Sequence, residues 1–174
     1  MAEPIPYPKV RHTLRTGDLL VWNSDDTTFL SSLLTRLVRV LTLSEYSHTA
    51  IALVHEGRVY AVEATIPKIR LTPLSTYRDF YCIPMGITED PVQQAVMLQH
   101  IKTTYLDCRY SLFDCIRGYF GKTDTRNDRW QCAELCNHFY KFMGIDLGNA
   151  YTPSRLIRAV IKQRGATILH IEQG

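Results

Sequence analysis

The stretch Tyr46-Ser47-His48-Thr49-Ala50-Ile51-Ala52-Leu53-Val54-His55-Glu56-Gly57-Arg58-Val59-Tyr60-Ala61-Val62-Glu63-Ala64 consists of two strand-forming runs joined by a Glu-Gly pair. Val, Ile and Tyr suit a pleated, half-buried surface, and glycine supplies the positive φ that a two-residue hairpin loop requires. With Glu56 and Gly57 as the whole loop, His55 pairs with Arg58. That register sets His48 opposite Thr65 and Glu63 diagonally beside His48 on the same face, about 7–8 Å apart at the backbone, within reach of an imidazole and a carboxylate that lean together. A three-residue loop would slip the register by one and send Glu63 to the other face. The neighbours on the shared face, Ala50, Ala52 and Ala61, are small and expected to let a helix approach closely.

The helix that suits this surface lies far downstream. In Trp130-Gln131-Cys132-Ala133-Glu134-Leu135 a polar loop gives way to helical spacing that continues to Met143 and stops at Gly144. Leu135, Cys136, Phe139 and Met143 form one apolar stripe. A thiol becomes a useful nucleophile when its pKa falls, through a helix N-terminus or a neighbouring imidazolium. Docking this helix on the alanine face would give Cys132 both. Cys136, one turn deeper, reads as a packed thiol.

The remaining pattern alternates strands and helices. Gly17-Asp18-Leu19-Leu20-Val21-Trp22 reads as a turn entering a strand, and Phe80-Tyr81-Cys82-Ile83-Pro84-Met85 as another. A helix is predicted from Pro91 to about Tyr105 with Asp90 as its cap, and another from Pro153 to Gln163 capped by Thr152. Ala166 to Ile171 reads as a last strand. Phe29, Leu30, Leu33, Leu34, Leu37, Val38 and Leu41 recur at helical spacing, which predicts an amphipathic helix laid on the core, with a membrane-surface role as its alternative. Lys122 to Arg129 reads as a loop. The fold class is α+β, with the strands early and the main helix late.

Composition bounds the function. The chain has 174 residues, 45% of them hydrophobic, enough for one buried core, so a single domain spanning 1–174 is expected. The net charge of +3 is spread without a basic block, which argues against a nucleic-acid partner. The leader Met1-Ala2-Glu3-Pro4-Ile5-Pro6-Tyr7-Pro8 lacks the pattern of a secretory signal, so a cytoplasmic location is expected unless another route exports the protein. Five cysteines without a Cys-x-x-Cys pair suggest free thiols, no structural zinc and no cofactor. Gly121-Lys122-Thr123 ends like a phosphate-binding loop, but Ile116 stands where that loop needs glycine.

Taken in order, the strand at Gly17–Trp22, the histidine motif at Tyr46–Ile51, the strand at Val59–Ala64, the cysteine motif at Trp130–Leu135 and the later Tyr151-Thr152-Pro153-Ser154 resemble the circularly permuted branch of the NlpC-type papain-like thiol hydrolases, particularly the YiiX-like group. The resemblance implies a permuted papain-like fold, a small antiparallel sheet or barrel with a packed nucleophile-bearing helix. It implies Cys132 as nucleophile, His48 as general base, Glu63 as the residue that orients the imidazole, and Tyr110 as an aromatic lining the oxyanion site. Asp107 stands where that family usually has glycine. The implied reaction is acyl transfer through a thioester. Its substrate would be an amide in a peptide or cell-wall peptide or, as in the related lecithin retinol acyltransferase group, a lipid acyl chain with peripheral membrane contact. A non-catalytic binding module on the same fold is the third alternative.

Overall fold

The computed structural model describes residues 3–23, 46–110 and 129–173. The amphipathic segment at Phe29–Leu41, the loop from Lys122 to Asp128 and Cys115 lie outside the described residues. Among those described, the strands are β1 (Ile5–Pro6), β2 (Leu19–Asn23), β3 (Tyr46–His55), β4 (Arg58–Ala64), β5 (Ile69–Pro73), β6 (Asp79–Ile83), β7 (Arg109–Tyr110), β8 (Arg129–Trp130) and β9 (Leu169–Glu172). The helices are α1 (Tyr7–Val10), α2 (Pro91–Thr104), α3 (Cys132–Phe142) and α4 (Pro153–Arg164). None is long and apolar enough to cross a membrane.

Seven strands form one open sheet in the order β1-β9-β6-β2-β3-β4-β5, antiparallel throughout except for the β1–β9 pair. The α+β class expected from the pattern is the one observed, and the sheet does not close into a barrel. The hairpin closes on Glu56 and Gly57, both at positive φ (49° and 70°), with His55 paired to Arg58 and Ile51 to Val62. Asp90 caps α2 through the Val92 N–H at 3.0 Å, and Thr152 caps α4 through the Arg155 N–H at 3.4 Å. Gly144, at φ 76°, ends α3 in the left-handed conformation.

Two apolar clusters lie on opposite faces of the sheet. On one, Ile51, Leu53, Val62 and Ala64 pack against Leu135, Cys136 and Phe139 of α3 and Leu156 and Val160 of α4. On the other, Ala50, Ala52 and Ala61 pack with Trp22, Leu74, Tyr77 and Phe80. This corrects the expected docking of α3 on the alanine face. Small side chains did leave room there, but the aromatic rings of β2, β6 and the segment after β5 fill it. Each fully buried Leu, Ile or Phe contributes about 1.5–3 kcal/mol, and α3 gains that on the branched-chain face.

Candidate active site

His48 still reaches the start of α3 because it lies beyond the paired part of the hairpin. The β3–β4 ladder ends at Ile51↔Val62. From there β3 continues against β2, where His48 pairs with Trp22, while β4 continues against β5, where Glu63 pairs with Arg70. The expected opposition of His48 and Thr65 is therefore not a ladder pair. Their separate strands nevertheless bring the two side chains together, with His48 Nε2 3.3 Å from Glu63 Oε2 and both residues buried.

The other carboxylate oxygen is anchored by neighbours that the sequence reading did not identify. Glu63 Oε1 accepts from Arg70 Nε at 3.0 Å and from the Thr72 hydroxyl at 2.5 Å. Arg70 and Thr72 alternate on β5, a strand the sequence reading missed although Ile69-Arg70-Leu71-Thr72 shows period-two alternation. On the imidazole itself, the Trp22 ring lies at a centroid distance of 5.3 Å and a tilt of 45°. That ring restricts rotation of the histidine.

Cys132 is the first residue of α3 and is buried. Gln131 caps the helix, its Oε1 accepting from the Ala133 N–H at 3.2 Å while its Nε2 donates to the Tyr151 carbonyl at 2.5 Å. The thiol donates to Gln131 Oε1 at 3.8 Å, and His48 with the backbone N–H groups of Thr49 and Ala133 are the neighbours that favour its ionised form. With Nε2 on Glu63, the imidazole nitrogen left for sulfur is Nδ1.

The electrostatics follow from these contacts. Burial works against a charge on His48, but its bonds to Cys132 and Glu63 outweigh burial and raise its pKa to about 9. Burial likewise opposes ionisation of Glu63, yet His48, Thr72 and Tyr77 together hold its pKa down at about 2. Burial also disfavours the Cys132 thiolate, and the contact with His48 overcomes it, so the thiol is shifted below its usual range. Cys136, one turn on and fully buried, is pushed up instead. Cys82 is raised by burial as well, and Cys108 is half-buried with its thiol on the Thr104 carbonyl. None of the four described cysteines is in a disulfide.

Tyr110 lies on β7, whose parallel pairing with β8 sets it beside Trp130, two residues before Cys132. Its side chain is half-buried against the helix-side cluster. No group of three His, Cys, Asp or Glu residues among those described is arranged to hold a metal ion. The Glu63 carboxylate already has both oxygens engaged by protein donors.

No family model and no curated protein matches this chain. Among solved structures, it is similar to the crystal structure of the metalloprotein yiiX from Escherichia coli O157:H7, DUF1105. The two are 18% identical with a TM-score of 0.62 over 92% of this chain and 98% of that one. At this identity the likeness is one of fold, and the chain has a YiiX-like fold.

Proposed function

We propose that the protein is a papain-like cysteine hydrolase that cleaves an amide bond, in a peptide or cell-wall peptide, through a thioester acyl-enzyme. The observation that carries this reading is one continuous array at the start of α3, in which half-exposed Arg70 and Thr72 hold buried Glu63, Glu63 holds buried His48, and His48 neighbours the buried Cys132 thiol. A thiol lowered by an imidazole at a helix N-terminus is the arrangement that nucleophilic catalysis requires.

In the proposed reaction, the Cys132 thiolate attacks the carbonyl carbon and the carbonyl electron pair moves to oxygen. The Cys132 N–H at the start of α3 and the Tyr110 hydroxyl are the proposed donors to that oxyanion. Collapse breaks the C–N bond, and His48 Nδ1–H gives its proton to the departing amine. Neutral His48 then takes a proton from water as it attacks the thioester. The acid leaves and the His48–Cys132 pair is restored. Glu63 stays ionised and holds the imidazole by Nε2.

A fluorescent activity-based thiol probe tests this reading on the intact chain. Selective labelling of Cys132, lost in His48→Ala, is expected. Labelling of Cys132 no faster than the other cysteines would favour a non-catalytic binding module.

A further inference from the structure

Glu63 and Arg70 are direct cross-strand partners, yet they meet very different surroundings. The Glu63 side chain is 0% exposed and that of Arg70 53% exposed. Arg70 Nε and Thr72 Oγ1 both bind Oε1, which leaves Oε2 for His48. A charge in water thus touches the far end of a sealed dyad. We propose that Arg70 is a positioning residue that fixes which carboxylate oxygen faces His48 and makes the His48 proton responsive to ionic strength outside the site. This inference rests on the proposed hydrolase reading and deepens it.

The sign follows from the charges around Glu63. His48 from β3 faces it, with Cys132 of α3 beyond the imidazole. Arg70 and Thr72 face it from β5, and Tyr77, whose hydroxyl burial keeps neutral, from the segment after β5. Arg70 supports the carboxylate but repels the imidazolium on its other side. Salt screens an exposed charge far more than a buried pair. Raising ionic strength therefore removes the repulsion by Arg70 while the Glu63–His48 attraction persists, and the imidazolium is retained to higher pH.

The test is a titration of the His48 ring by NMR of histidine-labelled protein at low and high salt, in wild type, Arg70→Gln and Arg70→Lys. Arg70→Gln keeps donors near Oε1 but removes the cation, and its midpoint at low salt is expected about half a pH unit above wild type. High salt is expected to raise the wild-type midpoint toward that of Arg70→Gln, which also controls for the general salt response of a chain of net charge +3. Arg70→Lys keeps the cation and should keep the salt response. If Arg70→Gln does not fold, Arg70→Met, which removes the same charge from a half-exposed side chain, supplies the control. A wild-type midpoint that does not move with salt, or one that moves equally in Arg70→Gln, overturns the role of Arg70. Iodoacetamide labelling of the same samples separates the two claims. Early labelling of Cys132 with coincident His48 titrations overturns only the inference about Arg70, whereas absence of early Cys132 labelling overturns the hydrolase reading with it.

Discussion

At the scale of single residues, the His48 imidazole sits between the Glu63 carboxylate and the Cys132 thiol. Replacing Glu63 by glutamine places either an amide N–H₂ or a neutral oxygen against His48 Nε2. The first forces Nε2 to accept and puts the ring proton on Nδ1 in the neutral state, the wrong tautomer for a base. The second stabilises imidazolium less than a carboxylate does. Glu63→Gln is expected to lower kcat by about tenfold or more with the fold retained, because half-exposed Arg70 can return to water. Unchanged kinetics would remove Glu63 from the role proposed for it. Stability gives a second readout. The folded pKa of Glu63 lies near 2, below its ordinary 4.5, so its stabilisation is present above about 4.5 and lost as pH falls toward 2. Urea midpoints of wild type and Glu63→Gln should therefore differ at neutral pH and converge through that acid window. A gap that stays constant with pH would contradict the depressed carboxylate.

The elements differ in how far their placement can be read from sequence. The hairpin register was legible because Glu56-Gly57 admits few loop geometries, and Gly57 indeed sits at φ 70°. An added Cβ there meets nothing within 4 Å, so Gly57→Ala should cost only backbone strain, about 1 kcal/mol by chemical denaturation. No loss of stability would argue against that turn. The start of α3 at Cys132 was also legible, from the loop-to-helix change in pattern. Its cap is Gln131, whose side chain accepts from the Ala133 N–H and the Cys132 thiol and donates to the Tyr151 carbonyl, fixing the helix start. Gln131→Ala should destabilise the fold by about 1 kcal/mol and slow labelling of Cys132, since the sulfur position depends on that helix start. Destabilisation without a change in labelling would make Gln131 a cap and nothing more. The face on which α3 docks was not legible. Both faces of β3 are apolar, so polarity could not choose between them, and the choice was made by aromatic rings from β2, β6 and the segment after β5. The clamp on β5 escaped for a related reason: a short alternating run between Pro67 and Pro73 is a weak strand signal.

Across the whole molecule, the site exists because strands that pair near the hairpin turn later separate to different partners. His48 follows β3 to β2, Glu63 follows β4 to β5, and α3 begins against the imidazole. The ordered motifs made the fold readable as a resemblance to the YiiX-like group, and the fold observed is YiiX-like. The place of Tyr110 beside Trp130 depends on a two-residue parallel pairing between distant segments, which no local pattern announces. The most direct test of the central claim, that Cys132 is the activated thiol, is peptide mass spectrometry of iodoacetamide labelling against pH in wild type and His48→Ala. Cys132 is expected to label at mildly acidic pH ahead of every other cysteine, to change its labelling rate as His48 loses its proton near pH 9, and to lose its early reactivity in His48→Ala. Leading reactivity at Cys82, Cys108 or Cys115, or labelling of Cys132 only near the ordinary thiol pKa of about 8.5, would contradict the assignment.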